Sequence, residues 1–298
     1  CIGTGVPDTS LYNANFYNSV IERSLGGNPN LSPEDAKTLS VGVVWTPYVF
    51  NGLSVSFDYF KVEIDDYIEL TPVTSGELII SCYDENLGRG GVGSPACNTI
   101  TRDENGSMQG IFAGYQNLGL HEVDGFDLNI EYGFDFLSGY VDINYFATKL
   151  LNRSIEDDIY GDVNFDCLGY FNGDCDNLID YPVFDFKHRM TVGYSRGDLE
   201  LQAVWKYVSS LKDGNDAVEY YTETLDAYSL IDLSGRYQIN ENFALILGVK
   251  NLFDEQPQPI GSNSWEWLKE DIGTFSNTYT QYYDVFGRTM FLKLSARF

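Results

Sequence analysis

From Met290 onward every second residue is apolar: Met290, Leu292, Leu294, Ala296 and Phe298, with Lys293, Ser295 and Arg297 among the residues between them. A period of two is that of a β-strand with one apolar and one polar face. The same alternation recurs along the chain. Leu39, Val41, Val43 and Trp45 form one apolar set, and Leu53, Val55, Phe57 and Tyr59 the next. Phe126, Leu128, Ile130 and Tyr132 interleave with Asp127, Asn129 and Glu131. Val141, Ile143, Tyr145 and Ala147 follow, then Met190, Val192 and Tyr194, then Leu199, Leu201, Ala203, Trp205 and Tyr207. Ile231, Leu233 and Tyr237 interleave with Asp232, Ser234 and Arg236, and Phe243, Leu245, Leu247 and Val249 precede the terminal set. About nine half-apolar strands are expected.

The spacers come in two alternating kinds. Thr46 to Gly52, about Gly133 to Gly139, Ser195 to Asp198 and Ile239 to Asn242 are short and read as hairpin turns. Thr71 to Ser107, Leu151 to Phe184, Leu211 to Asp226 and Asp254 to Asp284 are long. Short turns on one rim and long loops on the other is the layout of an antiparallel transmembrane β-barrel, with the short side periplasmic. Strands running toward the short turns end on Trp45, Tyr132, Tyr194, Tyr237 and Phe298, each in the parity of the apolar face. They are expected to form an aromatic girdle at one membrane interface. The polar parity predicts a lumen-facing set: Asp127, Asn129, Glu131, Asp232, Arg236, Lys293 and Arg297. A soluble β-sandwich also alternates, but requires neither the two classes of spacer nor bulky charges facing inward.

Composition narrows the function. No run of about 18 apolar residues is present, yet a spanning strand needs only about 9 to 11 residues, half of them polar. A mean hydropathy of -0.21 is therefore compatible with a barrel. The charge of -26, from 44 acids and 18 bases, argues against nucleic acid and anionic membrane surfaces as partners. No Gly-rich phosphate loop, HExxH or GxSxG occurs, and nothing points to an enzyme or a cofactor. The chain starts at Cys1, without an initiator Met or a signal peptide, and is expected to be a piece of a longer protein.

Cys82 and Cys97 fall in the first long spacer, Cys167 and Cys175 in the second. Two local disulfides are expected in an oxidising compartment, with Cys1 paired to a cysteine upstream. None of these pairs has CxxC spacing, which disfavours zinc. Two readings stand for the acids Asp157, Asp158, Asp162 and Asp166: a calcium site or a solvated loop. Two also stand for Trp265, Trp267, Tyr279 and Tyr282 in the last long spacer: flat faces that stack on a sugar or aromatic ligand, or rings that pack the loop.

Several stretches resemble TonB-dependent outer-membrane receptors. NPNLSPEDAKTLSVGVVWTP (Asn28 to Pro47) is similar to that family's "npnLkPE" phrase at the start of a downward strand. LSVSFDYFKVEIDDYIE resembles the upward strand that follows, and YQNLGLHEVDGFDLNIEYGF a later one. AYSLIDLSGRYQINENFALILGVKNLFDEQP resembles the N-L-F-D signature, and DVFGRTMFLKLSARF the terminal "GR … F" strand. The cysteine-bearing loops resemble those of a proteobacterial subgroup. The resemblance implies an all-β fold, with residues 1–298 as about the last nine strands of a 22-stranded plugged barrel and 1–37 as an extracellular loop. It implies energised import of a scarce ligand, such as an iron chelate or oligosaccharide, through a plug and TonB box driven by TonB with ExbB and ExbD. It further implies outer-membrane lipid and lipopolysaccharide as surroundings and barrel-assembly machinery acting on the strand that ends at Phe298. A passive porin-like channel and a surface or secreted glycan-binding β-protein are the competing functions.

Overall fold

The computed structural model describes residues 22–24, 26–70, 79, 82, 94–104, 108–112, 114–117, 119–157, 163–171, 183–214, 222–259, 278–279 and 283–297. Nine long strands form one antiparallel wall: β1 (Asp35–Trp45), β2 (Leu53–Asp65), β3 (His121–Phe136), β4 (Gly139–Asp157), β5 (Phe186–Arg196), β6 (Leu199–Val208), β7 (Tyr228–Gln238), β8 (Phe243–Lys250) and β9 (Thr289–Ala296). Each pairs with its neighbours in sequence, so the wall is a simple meander, and Val163–Asp166 adds to the far end of β4. β1 and β9 pair on one side only and are exposed along their whole length, so the sheet is open.

Register carries the alternation from strand to strand, because residues directly opposite each other share a face. Val43 faces Phe57, Phe57 faces Leu128, Leu128 faces Ala147 and Ala147 faces His188. Ala203 faces Val192 and Leu233, Leu247 faces Gly235, and Leu292 faces Leu247. The apolar sets of all nine strands thus fall on one side.

Two expected boundaries are wrong. The turn placed at about Gly133 to Gly139 is only Leu137–Ser138, both at positive φ (47° and 61°), because Phe134 and Phe136 continue the apolar face of β3. Gly133 is a packing site: a Cβ there would lie 2.0 Å from the Tyr140 hydroxyl. The spacer expected from Leu151 begins instead after Asp157. A β-bulge between Asp124 and Gly125 leaves Leu151 without an opposite number, which shifts the parity of β4 by one and hides its last turn of alternation. The hairpins after Trp45 and Gln238 lie where expected, and the one after Arg196 narrows to Gly197 (φ 57°) and Asp198.

Candidate functional site

The polar face holds every described residue of the expected lumen set. Asp127 accepts a hydrogen bond from Thr148 (2.7 Å), and Asn129 donates to Glu131 (3.3 Å). Arg236 pairs with Glu200 directly opposite it (2.9 Å), and Asp232 with Lys206 (2.8 Å). Lys293 stands opposite Ile246, and Arg297, two residues past Ser295, donates its backbone N–H to the Asn242 carbonyl (2.9 Å). All of these side chains are partly exposed, so the face is wet and ion-paired, and each such pair contributes only about 0.2–1 kcal/mol.

On the apolar face, Trp45, Tyr194 and Tyr237 sit at or within two residues of the short-turn ends of their strands, and Tyr132 four residues before the end of β3. Phe298 lies outside the described residues. Phe134 and Phe136 extend this row, with Phe134 4.9 Å from Tyr132 and 6.5 Å from Phe136. A second aromatic row, which the sequence reading missed, crosses this face between the short-turn row and the charged residues nearer the long loops. Phe126 stacks on Phe57 (5.0 Å) and touches Tyr59 (5.4 Å). His188 lies flat on Tyr207 (5.2 Å, 13°), edge-on to Trp205 (4.4 Å) and near Tyr145 (5.3 Å). The Trp205 indole donates to Ser229 (2.7 Å). The signal that would have found this row is the number of aromatic residues in the apolar parity of adjacent strands, which register then brings together. Immediately beyond it the same face turns charged: Lys61 bridges Glu63 (2.7 Å) and Glu122 (2.8 Å), Tyr59 donates to Asp124 (3.4 Å), and Lys149 pairs with Asp185.

The long spacers build two loop clusters. In the first, Cys82, Ala96, Ile100 and Ile111 form a small core closed by the Cys82–Cys97 disulfide, as expected. Cys167 is also disulfide-bonded, while Cys175 and Cys1 lie outside the described residues. In the second, Phe171, Phe184, Leu211, Leu225, Tyr279 and Tyr283 pack on Tyr228 and Leu230 of β7. Tyr279 is buried edge-on to Phe171 (6.1 Å), which favours the packing reading for that ring; Trp265, Trp267 and Tyr282 lie outside the described residues. Asp166 accepts from the Leu168 N–H (3.1 Å), a turn contact. Asp158, Asp162 and the Asp157 side chain are also outside.

The two motifs at the end of the chain interlock. Asn251 is fully buried in a left-handed conformation (φ 51°). Its side chain donates to the Glu255 carbonyl and accepts from the Glu255 N–H, both at 2.8 Å. Its backbone N–H donates to Asp232 (2.9 Å). Asp254 accepts from the Arg288 N–H (2.7 Å), and the Arg288 guanidinium donates to the Leu252 carbonyl (3.4 Å). The NLFD turn after β8 therefore clamps the GR segment that opens β9.

A meandering antiparallel wall with one continuous apolar face, crossed by two aromatic rows, defines a β-barrel of the membrane type. The chain belongs to the family "TonB dependent receptor-like, beta-barrel", whose model matches residues 6–252. It is 25% identical over 242 residues to the vitamin B12 transporter BtuB of Vibrio vulnificus (strain YJ016), covering 81% of this chain and 28% of that protein. Among solved structures it is similar to a variant of the ferric enterobactin receptor PfeA from Pseudomonas aeruginosa, with a TM-score of 0.57, 17% identity and 92% of this chain and 32% of that one covered. It is also similar to the siderophore receptor PirA from Acinetobacter baumannii, with a TM-score of 0.54, 17% identity and coverage of 92% and 33%. The chain thus spans about a third or less of the length of these relatives.

Proposed function

We propose that this chain is the C-terminal part of the wall of an outer-membrane active-transport receptor in a Gram-negative bacterium. The observation that carries this is the register. It collects the apolar residues of nine strands on one side, for lipid, and Asp127, Asn129, Glu131, Asp232, Arg236, Lys293 and Arg297 on the other, for a lumen. The dimensions agree. From Phe126 to Phe136 the strand advances about 33 Å at ~3.3 Å per residue. A tilt of about 40° reduces that to ~25 Å, the height of the apolar band of such barrels.

In this reading the long loops are extracellular, and the short turns and the end of the chain are periplasmic. The unpaired edges of β1 and β9 meet further strands of a 22-stranded barrel, since an open edge is not stable in lipid. The loops capture a scarce ligand, an iron chelate or an oligosaccharide. Transport is driven by TonB, ExbB and ExbD acting on a plug, and assembly machinery recognises the strand ending at Phe298. Lipopolysaccharide meets the charged belt of Lys61, Glu63 and Glu122. The test is ligand uptake by cells carrying the full-length protein, with and without TonB. Uptake that stops in the TonB-deficient strain supports the proposal; equal uptake in both leaves a passive channel.

A further inference from the structure

High on the polar face of β4 to β7, under the second loop cluster, lies a cavity of about 290 Å³ whose lining includes Phe146, Lys187, Arg189, Lys206, Tyr228 and Leu230. Register brings these six residues together. Arg189 stands opposite both Phe146 and Lys206, Lys206 opposite Leu230, and Val208 opposite both Lys187 and Tyr228. The lining is mainly apolar: Phe146 exposes 48% of its surface, and Tyr228 is held by contacts from its hydroxyl to the carbonyls of Glu255 and Asp284 (3.4 Å each).

The charge is the unexpected part. In a chain with 44 acids and 18 bases, three bases share this one cavity. Lys206 is paired to Asp232, and Asp232 is further engaged by the Asn251 N–H. Lys187 and Arg189 are exposed and have no carboxylate partner among the described residues. Elsewhere on this face acids stand ready to neutralise a base, as Glu200 does for Arg236. Two free cations over an aromatic and aliphatic floor are complementary to a ligand that carries negative charge on a flat apolar body.

We propose that this cavity is a ligand site for an anionic compound with an aromatic or otherwise flat apolar body, its acid group held by Arg189 and Lys187 and its body on Phe146 and Leu230. The site rests on the reading of this face as a lumen wall, and it selects the anionic chelate over a neutral oligosaccharide as cargo.

The test uses the purified full-length protein in detergent, with 2-naphthoate and its neutral isostere 2-naphthamide as probes, read by calorimetry at low and moderate salt. Saturable naphthoate binding, at least ~10-fold tighter than the amide and weakened by salt, is expected. The double variant Lys187→Gln, Arg189→Gln should lose about 10-fold or more for naphthoate and leave the amide unchanged. Equal binding of the two probes, no saturable binding to the wild type, or an unaffected double variant would overturn the site. Heat-modifiable migration and outer-membrane fractionation of the same samples separate the two ideas. Protein absent from that membrane overturns the wall reading and the site with it; inserted protein with indifferent probe binding overturns the site alone.

Discussion

Two loop clusters stand at the long-spacer end of the wall; both spacers carry a disulfide, at Cys82–Cys97 and at Cys167, but their cores are built differently. The first has a core of four small or medium residues, Cys82, Ala96, Ile100 and Ile111, two of whose neighbouring strands, Ile100–Arg102 and Met108–Phe112, pair with each other and not with the wall. So small a core buries too little apolar surface to order its own chain, and a disulfide through its centre removes the alternative conformations instead. The second cluster has eight buried members, all of them Phe, Tyr or Leu, and two of these, Tyr228 and Leu230, belong to β7. It is built on a strand that is already ordered. A loop that borrows its core from a sheet is positioned by that sheet, and a loop that owns its core is positioned by its tether.

The largest effect is expected where the borrowed core is emptied. Phe171→Ala should cost the second cluster about 3–5 kcal/mol by loss of burial and the cavity left behind. Hydrogen exchange would then rise in residues 211–226 while the wall stays protected. If exchange rises equally in the first cluster, the two are one unit and the comparison fails. Next in size, Cys82→Ser should cost the first cluster about 3 kcal/mol, the value for closing a loop of roughly 15 residues. Protease sensitivity should appear between 79 and 117 and spare 208–230; cleavage in both segments would again merge them.

Asn251→Ala tests the joint between the second cluster and the last strand. It removes both hydrogen bonds that the Asn251 side chain makes to the Glu255 backbone and puts Ala at positive φ, for about 2 kcal/mol. Exchange at Arg288 and Thr289 should accelerate, and unaltered protection there would show that the NLFD turn does not hold β9. The smallest effect concerns Asp185, just before β5. Burial alone would raise its pKa, but hydrogen bonds from Lys149 and Ser209 and the Lys149 charge more than offset this and hold it below the ordinary carboxylate value. A depressed folded pKa gives stability that is present above the unfolded value, near 4, and is lost as pH falls through the folded one. Asp185→Asn should therefore cost less than about 1 kcal/mol at neutral pH and nothing in strong acid, so a cost that persists at low pH would point to packing instead of charge.

Much of the wall was legible from the chain because a period of two survives wherever one face is apolar. The terminal set from Met290 and the hairpins at Thr46–Gly52 and Ile239–Asn242 are where the pattern puts them. Legibility failed where the parity changed. The bulge at Asp124 and Gly125 moves Lys149 and Asn152 onto one face although they are three apart, and the end of β4 was lost for that reason. It failed again at Gly133, where a residue that usually marks a turn makes room for a neighbouring ring. The lower aromatic row was read from strand ends; the upper row, with His188 at its centre, was not, since members such as Phe57, Phe126 and Tyr145 lie inside their strands and meet only through cross-strand register.

The sequence by itself determined that this chain forms a sheet with two unlike faces, because alternation is a property of single strands and needs no partner to be seen. It also placed the cysteines and the interlocking NLFD and GR segments. Only the tertiary structure decided which residues meet across strands. Net charge argues against an anionic ligand, yet Lys187, Arg189 and Lys206 share one cavity because β5 and β6 pair in the register that sets Arg189 against Lys206. Composition averages charge over the whole chain, whereas a ligand meets only the few side chains that pairing has brought within reach.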